Sequence, residues 1–163
     1  VKVIFLDIDG VLNSADWFER ISGHAISRID ALEEMLEPRA VELLNALIMR
    51  TGATVVLSSS WRIAHGMGFI NRALNARGFM QRIMHKTPIL GSPRGREIQA
   101  WIDRAEEKPE AFVIIDDNSD MAHLADRLVQ TTWGTGLQLE HVDRAAEMLG
   151  CATPSTAQLG EDR

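Results

Sequence analysis

Three times along this chain a short apolar run breaks off in a knot of polar residues. The run at 3–6 ends in Asp7-Ile8-Asp9-Gly10, the run at 53–57 in Ser58-Ser59-Ser60-Trp61-Arg62, and the run at 111–115 in Asp116-Asp117. An apolar run of this length without alternation reads as a strand buried on both faces, the habit of parallel sheets covered by helices. Helical patterns lie between the runs. Pro38 suits a first helical turn, and Ala40, Leu43, Leu44, Leu47 and Ile48 recur at helical spacing until Gly52 supplies a stop. Residues 69–77 repeat the pattern before Gly78, and 97–105 do so after the turn at Pro93 and Gly95. Residues 121–128 read as a short helix, 129–133 as a fourth strand and 141–149 as a last amphipathic helix. Such alternation implies βαβ units, an α/β chain with a mainly parallel central sheet, and a ligand site outside the carboxyl ends of the strands. The segment 13–35 mixes Trp17, Phe18 and Ile21 with charges and two short helical patterns of broken periodicity; a flap or small cap within 13–36 is expected there.

At 163 residues the chain fits a single domain, expected over 1–150 with a flexible tail at 151–163. A net charge of −6 argues against broad capture of duplex nucleic acid, which relies on a basic face, though it leaves room for a local basic pocket. The single cysteine, Cys151, has no partner for a disulfide or a thiolate zinc site, which fits a reducing cytoplasm. No apolar run approaches the ~20 residues needed to cross a bilayer, and the first apolar run meets acids too soon for a signal peptide. GxxxxGK, CxxC and HExxH patterns are absent from the sequence, which removes most support for those classes.

The polar knots have the chemistry of phosphoryl transfer. Asp7 and Asp9 lie two apart, so they share a face while the chain is extended, and the turn at Gly10 lets their roles diverge. One carboxylate can attack a phosphoryl ester to form an acyl phosphate while the other protonates the leaving oxygen and later deprotonates water. Asp116 and Asp117 are candidates to complete a Mg²⁺ site with Asp7 and Asp9, since hard cations take oxygen ligands. Ser58, with Ser59 and nearby backbone N–H groups, is a candidate for holding phosphate oxygens, and Arg94 and Arg96 are the nearest cations.

FLDIDGVLN resembles the first motif of the haloacid dehalogenase (HAD) superfamily, VVLSSSWR its second and VIIDDNSDM its acidic fourth, in the same order and at the same strand ends. The resemblance implies a three-layer Rossmann-like fold and a Mg²⁺-dependent phosphatase. It makes Asp7 the nucleophile, Asp9 the acid/base whose main-chain carbonyl also meets the metal, Ser58 the phosphate-binding hydroxyl, Asp116 a metal ligand, and Asp117 a ligand through water or an orienting group. The third motif usually supplies a lysine; SPRGREIQAWI offers arginines, of which Arg94 is preferred, then Arg96, with Lys86 third. An arginine carries the same charge with different reach and geometry. DIDGVLN, SSSWR, RGREIQAW and IIDDNSD together are similar to small HAD domains associated with RNA-repair proteins and, more distantly, to polynucleotide 3'-phosphatase domains, over roughly 1–150. That kinship implies a phosphorylated small molecule or nucleic-acid end as partner, with Arg62 contacting a second phosphate or the scaffold.

Plainer readings stand beside each of these. The serines can merely cap a helix, the arginines can be surface charges, and Trp61 and Trp101 beside the motifs are assigned to packing. The five histidines have no metal-ligand spacing. A non-catalytic phosphate- or nucleic-acid-end-binding module and a phosphotransferase are the competing functions; a dehalogenase ranks lower because it does not need the second acid.

Overall fold

The computed structural model describes residues 1–22 and 31–151. The middle of the expected flap and the expected tail beyond Cys151 lie outside the described residues, as does His24. Among the described residues five strands form one sheet in the order β3-β2-β1-β4-β5, every neighbouring pair parallel. They are β1 (Lys2–Leu6), β2 (Thr54–Leu57), β3 (His85–Lys86), β4 (Ala111–Asp116) and β5 (Leu128–Gln130). The helices are α1 (Ala15–Ser22), α2 (Pro38–Thr51), α3 (Trp61–Ala64), α4 (Met67–Ala76), α5 (Arg94–Arg104) and α6 (Leu139–Met148). This is the expected α/β, Rossmann-like arrangement.

Alternation along the strands sorts side chains into two cores. Ile4, Leu6, Val55, Leu57, Val113 and Ile115 face the larger one, closed by Leu44 and Leu47 of α2, Leu74 of α4 and Ala145 of α6. Val3, Phe5, Val56 and Ile114 face the smaller, closed by Ile98 of α5 with Met121 and Leu124, and flanked by Trp101. Helices thus lie on both faces, giving three layers, and every central strand must be apolar throughout.

Boundaries differ from the sequence expectation where local signals were weak. The stretch read as a helix at 121–128 is a 3-10 turn over Ala122–Arg127. The strand read at 129–133 is β5, ending at Gln130, so Trp133 already lies in a loop. The two-residue β3 was not anticipated: both residues are exposed, so no burial pattern marks it. Gly52 ends α2 in the left-handed conformation, φ +67°, as its position implied.

Candidate active site

The register of the sheet carries the polar knots to one edge. Leu6 pairs with Leu57 on one side and Ile115 on the other, and Leu57 pairs with Lys86. One residue further, the ladder continues through Ser58 N–H to Leu6 O (2.8 Å), Asp7 N–H to Ile115 O (3.0 Å) and Thr87 N–H to Leu57 O (2.9 Å). Thr87, Ser58, Asp7 and Asp116 therefore stand in one transverse row across the carboxyl edge. Being two residues beyond Phe5, Val56 and Ile114, the row belongs to the face that α5 covers. Asp7, Ser58, Thr87 and Asp116 are all buried, and Oδ1 of Asp7, Oγ of Ser58 and Oγ1 of Thr87 have no hydrogen-bond partner. Buried polar atoms left unbonded are costly, and a run of them at a strand edge is a place prepared for a polar ligand.

Arg94, the first residue of α5, reaches over the row. Its Nη1 donates to Oδ2 of Asp116 at 2.8 Å and lies 3.1 Å from Oδ1 of Asp7, an ion-pair distance without hydrogen-bond alignment. Gly95 beside it allows α5 this close, since a Cβ there would sit 2.0 Å from the Met121 carbonyl oxygen. Of the three cations considered for this role, Arg94 is the one in contact with the acids; Arg96 and Lys86 are exposed. Burial disfavours the Arg94 charge, but Asp7 and then Asp116 outweigh it and raise its pKa.

Asp7, Asp116 and Asp117 each offer a carboxylate oxygen within 4.8 Å of the others. Burial, then the Asp7 charge, pushes Asp116 up to about 7 against the pull of Arg94 and of the Asn118 N–H that its Oδ1 accepts at 2.9 Å. Asp117 is raised for the same first two reasons. An all-oxygen donor set whose members repel one another, one with an unbonded buried oxygen, fits a hard divalent cation. The Asp9 side chain is not in this group.

Asp9 is held elsewhere. The Trp61 indole N–H donates to both of its oxygens, 3.0 Å to Oδ1 and 3.1 Å to Oδ2, and the Asn13 amide donates to Oδ1 at 2.8 Å. The intervening turn is pinned on both sides: Asn13 Oδ1 accepts the Gly10 N–H, and the Thr131 hydroxyl donates to Gly10 O at 2.6 Å. Gly10 has φ +74°, and a Cβ on it would lie 2.4 Å from Asp117 Oδ2, so glycine lets the first acidic loop close over the last.

Arg62 behaves as the scaffold alternative implied. It is buried, and its five N–H groups all go to protein acceptors: the carbonyls of Ser58, Ser59, Thr87 and Pro88, and Glu97 Oε2. No donor remains for a second phosphate. Glu97 Oε1 accepts the N–H groups of Leu90 and Gly91, so one ion pair ties the β2 loop, the β3 loop and α5 together. The Ser59 hydroxyl accepts from the Trp61 N–H at 3.3 Å, a local turn contact. Trp101 packs edge-on to Phe5, while His141 takes part in the capping box of α6. Sequence reading missed Asn13, Trp61, Thr131 and Glu97. The one sign of Trp61 was its place beside the serines of the second motif; nothing in the sequence names its acceptor.

No curated protein gives a significant match. A family model described as the HAD domain in Swiss Army Knife RNA repair proteins matches residues 3–142, a span that holds the described sheet except Lys2 and every acid of the site, and the chain belongs to that family.

Proposed function

We propose that this chain is a Mg²⁺-dependent phosphomonoesterase that forms an aspartyl phosphate on Asp7 and acts on the phosphate of a nucleotide or polynucleotide end. The transverse row carries the reading: a buried carboxylate, ion-paired to Arg94 through an oxygen that accepts no hydrogen bond, stands between an unpartnered hydroxyl and a second acid on the same arginine. These are the needs of phosphoryl transfer, where positioning and charge stabilisation supply nearly all the catalysis.

An Asp7 carboxylate oxygen attacks phosphorus, the bond to the ester oxygen breaks, and Asp9 gives that oxygen its proton. Water then attacks the aspartyl phosphate, Asp9 takes the water's proton, and inorganic phosphate leaves with Asp7 restored. Ser58 donates its hydroxyl to a phosphate oxygen, and Arg94 supplies positive charge from the α5 side. Asp7, Asp116 and Asp117, with the Asp9 carbonyl implied by the family, would hold Mg²⁺, which supplies charge neutralisation at the transferring phosphoryl group. The nucleic-acid preference rests on membership in an RNA-repair family. The acidic net charge keeps long duplex binding out of the reading.

The test is phosphate release with and without Mg²⁺ from nucleoside 3'- and 5'-monophosphates, 3'-phosphorylated oligonucleotides and sugar phosphates, for wild type and Asp7→Asn. Mg²⁺-dependent turnover that falls to background in the variant is expected, the best substrate setting the specificity. Turnover of nothing on the panel would overturn the phosphatase and favour a phosphate-binding module.

A further inference from the structure

A carboxylate two residues past the nucleophile, at the start of a turn, has several rotamers open to it, and proton transfer needs one of them. Trp61 removes that freedom. The residue is 5% exposed, so its indole N–H depends on a protein acceptor, and it sits between the two Asp9 oxygens at 3.0 and 3.1 Å, fixing the plane of the carboxylate. Asn13, fully buried, fixes the Oδ1 edge at 2.8 Å and is itself fastened to the Gly10 N–H.

The chain position of Trp61 matters as much as its ring. It comes soon after Ser58, and the next residue, Arg62, grips the Ser58 and Ser59 carbonyls. The phosphate seat and the proton-transfer group are thus referred to one short piece of backbone.

We propose that Trp61 is a positioning residue for Asp9, holding the carboxylate at a fixed place relative to Ser58 and leaving Oδ2 as the atom that carries the proton. A carboxylate has about four acceptor sites. Oδ1 accepts two contacts and Oδ2 one, so the open site is on Oδ2. The inference rests on the reading of Asp9 as acid/base. A residue that only filled space would slow all substrates alike, whereas one that positions the acid matters most when the leaving oxygen needs a proton.

The experiment compares kcat/KM for phenyl phosphate, whose leaving group needs protonation, with p-nitrophenyl phosphate, whose leaving group does not, in wild type, Trp61→Phe, Asp9→Ala and the double variant. Trp61→Phe should cut phenyl phosphate turnover about tenfold or more and p-nitrophenyl phosphate less than about threefold, with no further selective loss in the Asp9→Ala background. Equal losses on both esters, or a selective loss that persists without Asp9, overturn the proposal. A wild type that hydrolyses neither ester leaves the phosphatase reading to the nucleotide and oligonucleotide panel. The clamp is then judged by the Trp61 indole resonance in ¹H–¹⁵N spectra, assigned by its disappearance in Trp61→Phe. It should shift and exchange faster in Asp9→Ala while the other three indoles stay in place; an unmoved resonance overturns the clamp.

Discussion

Asp116 is a carboxyl balanced near neutrality. Its folded pKa of about 7 lies above its ordinary 3.8, chiefly through burial, so between those values the folded state binds more protons than the unfolded. By linkage, its contribution to stability falls as pH rises through that window and stays low above it. In metal-free protein, Asp116→Asn should therefore gain on wild type in Tm as the pH climbs from about 4 to about 8. Thermal unfolding of both proteins across that range checks it, and a pH-independent difference would contradict the cause assigned. At this scale the sequence was legible where polar residues cluster at strand ends: Asp7, Ser58 and Asp116 share one row, and Arg94 stands over it. Trp61 on Asp9 was not legible, because the contact spans 52 residues and no periodicity encodes it. Arg62 beside a phosphate motif looked like a ligand contact, and only the count of its acceptors assigns it to the scaffold.

Between elements, the Arg62–Glu97 pair is the main fastening of the site to the smaller core's side of the sheet. Its two side chains are 2% and 8% exposed, so each charge relies on the other. Glu97→Gln leaves the guanidinium buried with a neutral partner and loosens Leu90 and Gly91; it should cost about 3–5 kcal/mol in urea unfolding. Exchange of the pair for apolar residues of similar volume should cost less, which separates charge imbalance from packing. Strands β1, β2 and β4 were legible because burial on both faces writes a continuous apolar run. β3 was not, having two exposed residues, and α1 showed only as a broken helical pattern, since none of its residues is buried. Helix ends followed the punctuation well at α2, where Pro38 and Gly52 mark both limits.

For the whole molecule, the strand order places β1 at the centre, with the acids of β4 on one side and the serines of β2 on the other. A cation held by Asp7, Asp116 and Asp117 would join the central strands at the edge where the ladder ends. Mg²⁺ at about a hundred times its Kd should stabilise the native state by about 2.7 kcal/mol, and Asp116→Asn should erase most of that gain. Urea titrations with and without the ion measure it, and an equal gain in the variant would move the ion elsewhere. Among the described residues no helix is long and apolar enough to cross a membrane.

The arginine at the head of α5 also bears on the order of assembly. Many metal centres are clusters of like charge that hold together only once the ion arrives, so that the polypeptide and its metal must mature as one. Here a cation is already built into the helix and bridges Asp7 and Asp116 by itself. A newly made chain can therefore close its sheet with this internal counter-ion in place, so that the fold need not wait for an inorganic one.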